Sequence, residues 1–240
     1  MHIIQNVLIY SKIIKKVNTN NNYFLDSYYN DYINTFFTVV FLDCILCIFI
    51  GFKARYFQLH TVINLIITVR ILPDVINLIS NPVSNYKLLE NHYESNLILS
   101  LHLYHVLISK NLNMIELFHH ILFVGFGIIP TIMYIKTNQI YLGYIACSGI
   151  PGIFEYGLLT LLKNNIITSN VQKKLTAYLY NYIRCPLALF GCYINYFSWK
   201  YNKIIKKEIF GMTLYINILL FLNGTVFNQL TLKSYYIKKQ

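Results

Sequence analysis

Five side chains able to handle protons or bind metals stand inside one apolar stretch, residues 96–130, NLILSLHLYHVLISKNLNMIELFHHILFVGFGIIP. They are His102, His105, Glu116 and the doublet His119-His120. Each polar group at bilayer depth costs free energy and normally faces the protein interior, so a lipid-facing helix has no use for such a set. His102 and His105 are three apart, as are Glu116 and His119, while Glu116 and His120 are four apart; these are the spacings that share a helix face. Adjacent helical residues point about 100° apart, so His119 and His120 are not expected to act on the same atom. Three chemistries fit the residue types. A histidine titrating near neutrality accepts or passes a proton while a carboxylate orients it. Imidazoles also ligate zinc or iron, the set here being His102, His105 and His119. Polar residues inside a membrane can also simply hydrogen-bond neighbouring helices together. Glu155, a further carboxylate after the Gly- and Pro-broken segment SGIPG, can join the same cavity or pair with Arg184 or Arg70.

The polar break Lys110-Asn111-Leu112-Asn113 makes the segments on either side antiparallel neighbours, with His105 and Glu116 most nearly level. Around them the hydropathy pattern predicts seven spans, over 33–52, 58–79, 96–109 (with an earlier start near Leu89), 114–135, 140–162, 175–199 and 209–230. A spanning helix needs roughly 20 mainly apolar residues, and each of these approaches that length. Residues 1–17 place apolar side chains at helical spacing opposite Lys12, Lys15 and Lys16, the pattern of an interfacial amphipathic helix. Residues 18–31 and 163–174 read as a linker and a polar loop. Arg70 and Asp74, four apart, are expected to pair, and Pro73 to bend their helix. The Gly and Pro residues at 149–152 mark a discontinuous helix of the kind that borders binding sites. Cys44-x-x-Cys47 has redox or zinc spacing, but it lies inside a span without a second pair and reads as packing.

Only 12% of the 240 residues are charged, 56% are hydrophobic, and the mean hydropathy is +0.47. Soluble domains carry about 25% charged residues, which excludes a water-soluble globule. The net charge of +11 lies in short loops and tails between apolar blocks, where anionic headgroups rather than nucleic acid would meet it. Lys and Arg divide evenly between the two sides of a seven-span topology, so the positive-inside rule assigns no orientation.

Tyr104-His105 in LSLHLYHVLIS, followed by the His-His doublet in MIELFHHILF, resembles the TLC-domain pattern of ceramide synthases and their relatives. Gln58-Leu59-His60 begins the second span where many members carry a histidine, and SGIPGIFEYGLL is similar to the family's interrupted, acid-containing segment. The likeness covers residues 54–230. His105 stands where the family commonly has Asp, and the paired acidic motif of ceramide synthases is absent. The resemblance implies an all-α multi-pass membrane protein of about seven transmembrane helices, six of them bundled around a lipid-accessible cavity. It divides the chain into an amphipathic segment and linker (1–32), a leading span (33–53), a TLC-like domain (54–230) and a basic tail (231–240). It implies lipid handling in the endoplasmic reticulum or another intracellular membrane, with membrane lipids as partners and a homo-oligomer compatible with the fold. In its catalytic form the activity is acyl transfer to a sphingoid or related lipid, with acyl-CoA as co-substrate and no bound cofactor. His119 or His120 is then the base, aided by His105, Glu116 or Glu155. A non-catalytic lipid-binding or membrane-composition regulator and a metal-dependent lipid hydrolase are the alternatives.

Overall fold

A computed structural model describes residues 22–85, 87–89, 91–108, 112, 114–201 and 210–237, without the side chains of 22–29, 115, 116 and 210. The amphipathic segment expected over 1–17 lies outside the described residues. Seven helical rods follow one another in these: α1 (Asn22–Phe49), α2 (Arg55–Ser80), α3 (Tyr93–Ile108), α4 (114–134), α5 (Ile140–Lys163), α6 (169–201) and α7 (Phe210–Ile237). Five stretches are long and apolar enough to cross a membrane: Asn30–Phe49, Arg55–Ser80, Leu117–Tyr134, Ile140–Lys163 and Gly211–Ile237. The chain is an all-α membrane protein. Two polar segments are more ordered than expected. The presumed linker is already helical from Asn22, and the presumed loop after Lys163 is helical from Ser169. There Thr168 caps the helix, its hydroxyl oxygen accepting the Val171 N–H.

The bundle's centre is α2. Leu59, Ile63, Ile67, Ile71 and Val75 recur every four residues and are all buried, which gives one continuous apolar stripe. Its opposite partner, α5, comes close because Gly149 and Gly152 have no side chain. A Cβ at Gly149 would stand 2.9 Å from Thr68 Oγ1, and one at Gly152 would collide with the Asn64 amide. Small residues permit such approach between membrane helices. The same device joins α6 to α7, where a Cβ on Gly224 would reach within 2.6 Å of the Ala188 Cβ. Asn223-Gly224-Thr225, which has the Asn-x-Thr form of an N-glycosylation acceptor, lies inside α7 with Asn223 buried.

Helix α1 turns into α2 through Gly51, whose φ of +98° suits glycine. Just before that turn, Asp43 is fully buried, and Arg55 reaches back to it, its Nε 2.6 Å from Oδ2. Tyr104 of α3 donates to the same carboxylate oxygen at 2.7 Å and accepts from Arg55 Nη2 at 2.7 Å. Three helices are thus clipped together by one carboxylate.

The pairing of Arg70 with Asp74 is not formed. Arg70 Nε donates to Glu94 of α3 at 2.8 Å and Asp74 takes Lys87 Nζ at 2.8 Å, because each gains a partner from the 81–92 turn or the start of the helix after it. Tyr141 also donates to Glu94, at 3.2 Å. The 81–92 and 135–139 turns are stitched by backbone bonds from Leu89 N to Lys136 O (2.8 Å) and from Asn138 N to Lys87 O (3.1 Å). This end of the bundle is closed by protein.

His92 stands in that closure, outside the spans. Burial, and secondarily the nearby Lys136 ammonium, lower its pKa, while Glu94 partly offsets them. The unfolded turn protonates near the ordinary value of about 6.5, so the neutral folded histidine contributes stability that is complete above that pH. It is lost as pH falls toward the lower folded value. Hydrogen exchange of residues 81–92 and 135–139, corrected for intrinsic rates, is expected to accelerate as the pH falls below about 6.5. A His92→Gln variant should show no such step; an equal step in both would rule His92 out.

Candidate functional site

Three of the helices carry a wide, π-type turn: His120–Ile128 in α4, Ile145–Gly149 in α5 and Tyr180–Arg184 in α6. Each ends two residues before a proline: Pro130, Pro151 and Pro186. A proline has no N–H and its ring crowds the carbonyl four residues back. Bonding from i to i−5 opens that turn, as in Ile129 N to Val124 O, Ile150 N to Ile145 O and Cys185 N to Tyr180 O. Pro130 also leaves the Phe126 carbonyl without its helical donor, and the Tyr215 hydroxyl of α7 donates to it at 2.8 Å.

All three wide turns border one cavity of about 320 Å³. Helices α2 to α7 all line it, whereas α1 supplies none of the lining residues among those described. Its apolar wall includes Phe123, Val124, Ile128, Ile140, Leu219 and Leu220. Its polar wall is formed by His60, His102, His119, His120, Glu155 and Arg184, with Tyr56, Tyr156, Tyr180 and Asn223 around them.

The histidines converge from three helices. Ring centroids are 5.3 Å apart for His102 and His120, 5.6 Å for His60 and His102, 5.7 Å for His119 and His120, and 6.0 Å for His102 and His119. His60 Nδ1 lies 3.1 Å from the Tyr56 carbonyl, and His102 Nδ1 lies 2.8 Å from the Ile98 carbonyl. A carbonyl only accepts, so both rings carry their proton on Nδ1 when neutral and keep a lone pair on Nε2. His60 Nε2 is buried and has no hydrogen-bond partner among the described residues.

Beyond the histidines, Glu155 Oε2 accepts the Tyr180 hydroxyl at 2.5 Å and lies 3.4 Å from Arg184 Nη1. Arg184 also donates to Tyr180, and its Nε and Nη2 donate to Asn223 Oδ1 at 3.2 and 2.6 Å. Its guanidinium lies over the Tyr180 ring at 4.4 Å and the Phe227 ring at 5.4 Å. Phe227 in turn packs on His119, centroids 5.7 Å apart. A charged pair and a cluster of bases therefore share one cavity with a hydrocarbon wall.

Of the candidate site residues singled out from sequence, His102, His119, His120 and Glu155 reach the cavity. Both members of the doublet line it, because a space this wide is flanked by two side chains 100° apart at the start of a wide turn. His105 is not among the lining residues; it packs behind, 3.7 Å from the Tyr56 ring and 5.1 Å from the His120 ring. Both its ring nitrogens are buried without a hydrogen-bond partner among the described residues. The Glu116 side chain lies outside the described residues. Of the two arginines offered as partners for Glu155, it is Arg184 that pairs with it. Among the described residues no group of three or more His, Cys, Asp or Glu side chains is arranged to hold a metal ion, and His102, His105 and His119 do not form one. Cys44 and Cys47 are free thiols away from the site.

Sequence reasoning gave His60 no site role and passed over Asn64. The signal was present: His60, Asn64 and Thr68 repeat every four residues within an apolar span, and all three are buried.

The fold and the site together define a multi-pass all-α membrane protein with a mainly apolar cavity that carries one polar wall. Comparisons of the chain with protein-family models, with curated proteins and with solved structures return no match.

Proposed function

We propose that the protein is a TLC-like lipid-handling enzyme of the endoplasmic reticulum or another intracellular membrane, transferring an acyl group to a sphingoid or related lipid amine. The observation that carries this reading is the cavity itself, in which His60, His102, His119 and His120 meet a hydrocarbon wall. An amphiphile fits such a space with its chain against the apolar wall and its reacting head among the bases. In the reaction, the amine nitrogen attacks the acyl carbonyl of an acyl-CoA while an imidazole nitrogen of His119 or His120 takes the amine's proton. The tetrahedral intermediate then expels the CoA thiolate, which recovers that proton from the imidazolium, leaving amide and free thiol. Glu155, bonded to Tyr180 and Arg184, orients the head group.

A non-catalytic lipid-binding role is the second reading. It is favoured by the mutual bonding of Glu155, Tyr180, Arg184 and Asn223, which leaves that corner satisfied without a substrate. Untargeted lipid profiling separates the two. Cells expressing wild-type chain, the His119→Ala/His120→Ala variant or neither are compared at matched membrane levels. A lipid class changed only by the wild type supports the enzyme. Equal changes with wild type and variant support binding alone, and no change in either counts against both.

A further inference from the structure

We infer that the cavity accepts a single-chain amphiphile lying along α5, and that Gly143 sets the longest chain it takes. This rests on the reading that a lipid occupies the cavity, but not on the claim that the histidines carry out chemistry.

The ionisable groups of the lining, the histidines with Glu155 and Arg184, gather toward one end of the bundle axis. On α5 the lining runs from Ile140 and Gly143 at the closed end, past Tyr144, Cys147 and Ser148, to Glu155, Tyr156 and Leu159 at the histidine end. Twelve residues separate Gly143 from Glu155, about 18 Å at 1.5 Å per residue. The volume of about 320 Å³ lies at the small end of the roughly 300–1,000 Å³ typical of ligand sites, which suits one chain rather than two.

Below Ile140 the space stops. Ile135, Thr137, Asn138 and Gln139 are all buried, and backbone bonds from Leu89 and to Lys87 hold their turn in place. A chain entering head-last therefore meets a fixed floor. Gly143 stands one helical turn above it. Unlike Gly149, Gly152 and Gly224, which helix packing requires, Gly143 would place a Cβ with nothing within 4 Å. Its missing side chain is thus space available to a ligand rather than to a neighbouring helix. A larger residue there fills the deep end without displacing backbone.

The test uses the full chain in lipid nanodiscs and saturated fatty acids from decanoate to stearate with a diazirine on the terminal carbon. After photolysis, mass mapping identifies the labelled residues. The longest accepted chains are expected to label residues 140–143 and 216–220 in the wild type. Gly143→Leu should weaken capture of those chains at least tenfold and leave the shortest unchanged, with Gly143→Ala between the two. Unchanged capture of short chains also shows that the variants are folded. Cavity labelling with the same length profile in all three proteins overturns the role of Gly143 while sparing the lipid-cavity reading. Labelling confined to outward-facing residues such as Phe126 and Met133 overturns both.

Discussion

On the proposed acyl-transfer reading, His119→Ala and His120→Ala are each expected to lower the rate of product formation in membranes, one of them by about 10²–10⁴-fold, the range for losing a positioned general base. The product is the lipid class revealed by profiling, measured with acyl-CoA supplied at matched protein levels. The two variants are not expected to be equal. His119 meets Phe227 and so stands beside the Arg184 guanidinium, whereas His120 is backed by His105, centroids 5.1 Å apart. The residue that acts as base should lower kcat and kcat/KM together, because its interaction is made only in the transition state. Its neighbour should raise KM more than it lowers kcat. His105→Ala, from outside the cavity lining, acts only by letting His120 move. A conservative His105→Gln should therefore restore most of the rate. If both doublet variants retain activity within threefold of wild type, acyl transfer by a base at this doublet is excluded.

The largest effect on stability is expected at Arg55→Met, about 3–5 kcal/mol, because it leaves the Asp43 carboxylate buried without its cation. Asp43 has 0% of its side chain exposed, while that of Arg55 is 36% exposed. The two ends of the pair are therefore not equivalent. Deprived of Asp43, Arg55 can turn its charge toward water or headgroups. Deprived of Arg55, Asp43 keeps, among the described residues, the Tyr104 hydroxyl and a distant Cys47 thiol. Asp43→Leu alone should cost less than Arg55→Met, and the double variant Asp43→Leu/Arg55→Met should recover most of the loss. Unfolding in mixed micelles with increasing SDS, followed by circular dichroism, provides the three values. A double variant no more stable than Arg55→Met would show that the clip does not act as an ion pair.

Much of the helix arrangement is legible in the sequence, since apolar runs of near-spanning length separated by Asn- and Lys-rich breaks leave few alternatives. The helix ends are less so. The Asn- and Tyr-rich segment after residue 18 shows no apolar periodicity, yet α1 extends through it from Asn22. The convergence of the doublet with His102 follows from two antiparallel segments joined by a short break. The place of His60 does not, because it depends on α2 standing across from both, a contact between segments distant in the chain. Arg70 and Asp74 show the opposite failure. Their spacing predicts a pair, but Glu94 and Lys87 compete from the far side of a turn whose folding local spacing does not reveal.

The prolines of α4, α5 and α6 also change how those helices should be read as wheels. A wide turn takes up one residue more than an α turn, so side chains before it are rotated by about 100° relative to those after it. A single wheel drawn through α4 puts His119 about 120° out of phase with Thr131, although both face the same cavity. The phase must be reset at Pro130, and likewise at Pro151 and Pro186. Each of these helices behaves as two short wheels meeting at an angle that the proline dictates, and a mutational scan across any of them should be plotted in two halves.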